Sequence, residues 1–248
     1  MRKILTIIMV FLLVGCSSSP KQPATQKDLY QQIIKLEAKM KKQQYFKINK
    51  YVDEVSLVCD GTSAKKVSAN PNPIAYSVAF SDGKLTYVAA QKMPNENQTS
   101  YIFYKDHKVY YEHSQMMGTY SADDASAEDE AIILDPSIPI IDTRYEKISK
   151  KQDKTGTIYT VEMKKPKKYN KAFPADYDDA TCGLVGDYVN QKIVINLNTK
   201  GLITKEVILT TINYHGEGIS SQRLNTTTYD FYDFKVKNDI DFSFINNL

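Results

Sequence analysis

Apolar and polar positions divide the chain into three regimes. Residues Ile4 to Val14 are apolar apart from Thr6, follow Met1-Arg2-Lys3 and end on Gly15-Cys16. A positive start, an apolar stretch and small residues before a cysteine form the order of an export signal. That stretch is too short for a bilayer crossing, which needs roughly 20 residues. A helical period follows: Leu29, Ile33, Leu36 and Met40 recur at spacings of four, three and four. With Thr25 and Asp28 placed as a capping pair, this predicts an amphipathic helix over about 26–44. From Tyr45 onward the pattern alternates, and β-branched and aromatic residues dominate to the C-terminus, which predicts an antiparallel sheet.

Within that region, Tyr76–Phe80 and Leu85–Ala89 flank Ser81-Asp82-Gly83-Lys84, where Asp-Gly suits the positive φ angles of a tight hairpin. Tyr101–Tyr104 and Val109–Tyr111 flank Lys105-Asp106-His107-Lys108 in the same way. Ile193–Leu197 and Leu202–Ile212 flank Asn198-Thr199-Lys200-Gly201, and Thr226–Val236 completes a late meander. Successive hairpins imply antiparallel neighbours. Between the two β blocks, Ser121–Pro139 carries acidic residues ahead of Ala131-Ile132-Ile133-Leu134 and predicts a short helix, its acids complementing the helix start.

Leu13-Val14-Gly15-Cys16 resembles a lipobox, at which Cys16 is lipidated and becomes the first residue of the mature chain. The expected organisation is a signal peptide over 1–15, a lipidated Cys16 with a polar, Pro-bearing tether over 16–24, and one domain over 25–248. Loss of the signal takes Arg2 and Lys3 from the 32 basic side chains and leaves 30 against 29 acidic ones. So nearly neutral a body excludes nucleic acid, which needs a clustered basic face. The lysines of the helix, Lys27, Lys35, Lys39, Lys41 and Lys42, read as a solvated face or as a patch toward anionic headgroups. With Cys16 assigned to lipid, Cys59 and Cys182 remain, either as a disulfide or as two separate thiols; neither has the spacing of a redox or zinc motif.

The three histidines, His107, His113 and His215, all read as turn or strand-end residues, and no nucleophile, metalloprotease or phosphate-loop motif is present. Asp176-Tyr177-Asp178-Asp179 lacks the glycine of a calcium loop. The expectation is a non-enzymatic protein with no cofactor and no metal. The 18 tyrosines point instead to strands with one half-wet face.

Ser100-Tyr101-Ile102-Phe103 through Lys108-Val109-Tyr110-Tyr111, then Ile193-Val194-Ile195-Asn196 with Thr199-Lys200-Gly201-Leu202-Ile203, and then Tyr229-Asp230-Phe231-Tyr232-Asp233-Phe234, resemble the LolA/LppX-like bacterial lipoprotein superfamily, in particular its Gram-positive branch. The resemblance spans roughly residues 25 to 240. It implies an α+β, mostly antiparallel fold: a strongly curved half-barrel sheet with the N-terminal helix and one or two short helices packed on it. It also implies a carrier of acyl chains or other apolar ligands on the concave face. The candidate lining of that groove is Tyr76, Val78, Phe80, Leu85, Tyr87, Tyr101, Phe103, Val109 and Tyr111. Partners expected are the membrane, through Cys16, and a lipid or similar ligand. Two further readings stand beside it: a surface interaction or envelope-scaffolding module without a small ligand, and a solute-binding component of a transporter. The last lacks the alternating βαβ units of two lobes.

Overall fold

The computed structural model describes residues 24–53, 55–59, 64–68, 72–82, 84–92, 99–112, 120–124, 145–163, 185–216, 219–237 and 240–247. The lipobox, most of the tether, His113 and Cys182 lie outside these residues, as does the expected pairing of Cys182 with Cys59. Among the described residues one helix, α1 (Gln26–Lys41), precedes thirteen strands: β1 (Tyr45–Asp53), β2 (Val55–Cys59), β3 (Ala64–Ser68), β4 (Ile74–Ser81), β5 (Lys84–Lys92), β6 (Thr99–Lys105), β7 (Lys108–Glu112), β8 (Tyr120–Asp124), β9 (Tyr145–Gln152), β10 (Thr157–Met163), β11 (Val185–Leu197), β12 (Ile203–Gly216) and β13 (Ile219–Lys235). A 3-10 turn over Ser243–Asn247 follows. Eleven strands form one sheet in the order β8-β7-β6-β5-β4-β1-β13-β12-β11-β10-β9, while β2 and β3 pair separately as a hairpin. Every pairing is antiparallel.

β1 sits at the centre, flanked by two meanders, β4 to β8 on one side and β13 back to β9 on the other. The expected hairpins form at the expected turns. Ser81 pairs with Lys84 and Lys105 with Lys108. The turn residues Asp82, Asp106 and His107 take φ of 50°, 51° and 63°, as two-residue hairpins of this hand require. At the β11–β12 turn Gly201 takes φ 69°, and Asn198 Oδ1 accepts from the Lys200 and Leu202 N–H groups.

α1 begins in a reciprocal cap: the Asp28 N–H donates to Thr25 Oγ1 (3.2 Å) and the Thr25 N–H donates to Asp28 Oδ2 (3.0 Å). The Thr25 hydroxyl, which donates to Asp28 Oδ2 (2.7 Å), and then the Thr25 N–H hold the Asp28 carboxyl below its usual range. Thr25→Ala is expected to lower stability by about 1 kcal/mol in urea unfolding. The helix ends at Lys41, not 44, because the Gln43 N–H turns back to the Met40 carbonyl to launch β1 at Tyr45. Ser121–Asp124 belong to β8 and not to a helix. Asp124 lies opposite Lys108 and Asp123 opposite Val109, so both acids sit in the β7–β8 ladder. His215 lies within β12, opposite Ser220, not in a turn. Residues 125–139 of the expected helix lie outside the described residues.

The core occupies the sheet face that α1 covers. Leu29, Ile33, Leu36 and Met40 join Phe46 and Ile48 of β1, Tyr229 and Phe231 of β13, and inward residues from β4 to β12 in a single apolar cluster. A cluster that takes in both Val109 of β7 and Ile148 of β9 requires the sheet to curve around the helix. The sheet is not closed into a barrel.

Candidate functional site

Strand alternation gives the sheet two unlike faces. On the inner face α1 is fastened to the β9–β12 half. The Gln26 side chain clamps the Ile148 backbone, its Nε2 donating to the Ile148 carbonyl (2.9 Å) and its Oε1 accepting the Ile148 N–H (2.6 Å). Gln32 Oε1 accepts from both the Tyr159 hydroxyl (2.8 Å) and Lys150 Nζ (3.0 Å), while Lys150 lies over the Tyr159 ring and Tyr30 stacks on Tyr145. Lys39 donates to the Lys200 carbonyl at the β11–β12 turn.

The β4–β7 half of the inner face is built differently. Ile74, Tyr76, Val78 and Phe80 alternate inward on β4, Leu85, Tyr87, Ala89 and Gln91 on β5, Ser100, Ile102 and Tyr104 on β6, and Val109 and Tyr111 on β7. No Asp, Glu, Lys or Arg is among these positions. The tyrosines form a ladder: Tyr76 meets Tyr87 edge-on at 6.2 Å, and Tyr87 stacks on Tyr104 at 5.2 Å and 5°. Burial pushes the Tyr76 hydroxyl up to about 12. Phe80, Leu85 and Ile102 are only partly buried against the cluster, and Tyr111 is exposed.

Seven of the nine expected groove residues, Tyr76, Val78, Phe80, Leu85, Tyr87, Val109 and Tyr111, therefore share the inner face. Tyr101 and Phe103 do not. Pairing of Val88 with Phe103 and of Tyr87 with Tyr104 turns the even-numbered residues of β6 inward, which sends Tyr101 and Phe103 to the opposite face.

At the middle of the inner face lies Glu206 on β12, 1 % exposed, opposite Ile195 and Tyr229. Its Oε1 has no hydrogen-bond partner, and burial pushes its carboxyl up to about 8, so it is protonated at neutral pH. Nothing in an alternating strand sequence distinguishes an inward Glu from an outward one until the register is known, so sequence reasoning missed it. Asn225 Oδ1 is likewise buried and unpartnered. Among the described residues no group of three His, Cys, Asp or Glu is placed to hold a metal ion, and no helix is long and apolar enough to cross a membrane.

The outer face carries a pocket of about 470 Å³. Its floor is made by Ser77 of β4 and Val88 of β5, where the outward neighbours Ala75, Ala79 and Ala90 are also small. Tyr45 and Lys47 of β1 form one wall, Tyr101 and Phe103 the other, and the C-terminal strap from Ile240 to Phe244 crosses beside it. Phe103 packs against Phe244 (4.7 Å) and Phe242 (6.1 Å), and Tyr110 meets Phe244 edge-on. Lys47 and Lys235 both pair with Asp233, at 3.3 and 3.1 Å, and their bonds, led by that from Lys235, hold its carboxyl low. Asp233 takes φ 55° near the end of β1, where the β1–β13 register shifts.

No family model and no curated protein matches the chain. Among solved structures it is similar to LprF from Mycobacterium bovis, at 9 % identity over 87 % of this chain and 96 % of that one, with a TM-score of 0.45. It is similar to the lipoprotein LppX from Mycobacterium tuberculosis at 7 % identity, over 88 % of this chain and 100 % of that one, with a TM-score of 0.49. A LolA-superfamily protein from Nitrosomonas europaea shows 11 % identity over 89 % of this chain and 97 % of that one, with a TM-score of 0.30.

Proposed function

We propose that the chain is an extracytoplasmic lipoprotein, held to the cell membrane through lipid on Cys16, that binds or carries an apolar ligand of the acyl-chain type on the inner face of its sheet and performs no catalysis. The observation that carries the reading is the uncharged β4–β7 half of that face. The sheet has eleven strands in one layer. At the usual strand spacing it is about 50 Å wide. Helix α1 has 16 residues. Such a helix is about 24 Å long and about 10 Å across. It cannot cover the whole inner face. The polar contacts of α1 named above all go to the β9–β12 half; on the other half the ladder tyrosines are buried in the shared apolar cluster, and Phe80, Leu85, Ile102 and Tyr111 are the positions left partly open to a ligand. A wall chiefly of Tyr, Ile, Val, Leu and Phe offers an alkyl chain burial at about 25 cal/mol per Å² and no charge to desolvate.

The test is organic extraction of purified protein followed by mass spectrometry. Lipid covalently joined to Cys16 stays with the protein, so an extract holding about one acyl-bearing molecule per chain supports the reading. Its absence overturns the carrier and leaves the scaffolding module. The anchor is tested separately by mass spectrometry of the N-terminal peptide of the membrane-fraction protein: a chain beginning at Cys16 with acyl mass on it is expected, and an unmodified Cys16 excludes lipid on that residue as the tether.

A further inference from the structure

We infer that the pocket on the outer face is a saccharide site, taking a neutral sugar ring on Tyr101 and Phe103 with its hydroxyls directed at Lys47 and Asp241. It lies on the face opposite the apolar wall and stands whether or not that wall holds lipid.

The strand sequences build the site. β4 and β5 place large side chains inward and small ones outward, so Ala75, Ser77, Val88 and Ala90 form a shallow trough two strands wide. Two strands span about 10 Å, enough for one sugar ring. Tyr101 and Phe103, two residues apart on β6, stack their rings 6.3 Å apart at 24°, an aromatic strip along one wall. Phe244, which also lines the pocket, and Phe242 pack against Phe103, and Tyr101 remains 37 % exposed beside it. The strip is therefore fixed before any ligand arrives, which removes an ordering cost from binding.

The remaining lining selects among ligands. Lys47, Ser77, Asp241 and Ser243 surround the aromatic strip with hydrogen-bonding groups of both kinds. The charges are balanced locally: Lys47 lies 3.3 Å from Asp233, and Asp241 Oδ1 accepts the Ser243 N–H at 2.8 Å. An alkyl chain satisfies the strip and leaves the polar rim desolvated and unpaired. An anion meets Asp241. A sugar ring has an apolar C–H face and a rim of hydroxyls that both donate and accept, which matches a pocket with one aromatic wall and a carboxylate, an ammonium and two serines around it. The pocket volume of about 470 Å³ is that of a small-ligand site.

The test uses the full chain and a panel of neutral oligosaccharides, with N,N′-diacetylchitobiose, cellobiose and maltotriose as probes, read by saturation-transfer NMR and titration. At least one probe is expected to bind saturably, with transfer strongest to its C–H protons. Tyr101→Ala is expected to weaken it about tenfold, Asp241→Asn to weaken it as well, and Ile158→Ala, on an exposed outward position of β10, to leave it unchanged. Both pocket variants change exposed side chains, and circular dichroism checks that each is folded. The inference is overturned if no probe shows transfer, if Tyr101→Ala and Asp241→Asn bind as the parent does, or if an extended peptide or a fatty acid occupies the pocket instead of a sugar.

Discussion

Glu206→Gln is expected to stabilise the protein by about 3 kcal/mol at pH 7, with the gain vanishing near pH 4.5 and approaching roughly 5 kcal/mol above pH 8. The sign follows from the burial. The Glu206 carboxyl titrates at about 8 in the folded chain against 4.5 for an ordinary glutamate. Between those values the unfolded chain has released this proton and the folded chain has not. Stability contributed by the neutral acid is thus present below pH 4.5 and is lost as pH rises toward 8. Glutamine keeps the shape and the buried polarity but has no proton to lose, so the difference between the two proteins carries the slope. Urea midpoints at pH 5, 7 and 8.5 check it; parallel pH profiles for parent and variant would show that Glu206 is not the buried acid the structure makes it.

Phe46→Ala is expected to cost about 3–5 kcal/mol, a large part of the stability of a chain this size. Phe46 is wholly buried on β1 and its ring lies 6.2 Å from Phe80 of β4, 6.2 Å from Phe231 of β13 and 6.0 Å from Phe234. It thereby touches both meanders at the one strand they share. Loss of the ring opens a cavity between them, and the two halves are expected to unfold at separated denaturant midpoints where the parent shows one transition. Amide exchange resolved by strand reads this directly. A cost under about 1 kcal/mol with a single transition would mean that the halves are joined elsewhere.

Much of the strand content was legible because the signals are local. Asp82-Gly83, Asp106-His107 and Gly201 mark turns whose geometry few other residues accept, and the alternation on β4 and β5 declares an inward and an outward set. The helix was legible from Leu29, Ile33, Leu36 and Met40. The face assignment of β6 was not, because Ser100 to Tyr104 offers aromatic residues at both parities, and only pairing with β5 decides between them. The β9–β10 hairpin escaped for a related reason. Tyr145–Gln152 is an edge strand rich in lysine, with Ile148 its one buried side chain, so alternation hardly shows. Such charges keep an edge from pairing with other chains. The outer pocket depends on Ile240–Phe244 folding back across strands far earlier in the chain, and no periodicity encodes that return.

The central place of β1 also fixes an order of assembly. β4 can pair with β1 once the β2–β3 segment between them has been made, and β5 to β8 then add hairpin by hairpin as the chain emerges. The other flank of β1 must wait for β13, since Tyr45 pairs with Lys235 and Asp53 with Thr226, and nearly the whole polypeptide has to be delivered before those bonds form. Until then β1 is an open edge beside a half-built sheet, with unpaired backbone groups and the Phe46 ring uncovered. Long-range closure of this kind is slow and exposes the nascent chain to association. The last strand to arrive is therefore the one that ends the vulnerable period, and a chain cut short before Ile219 would leave half a sheet with the strand that carries Phe46 as its border.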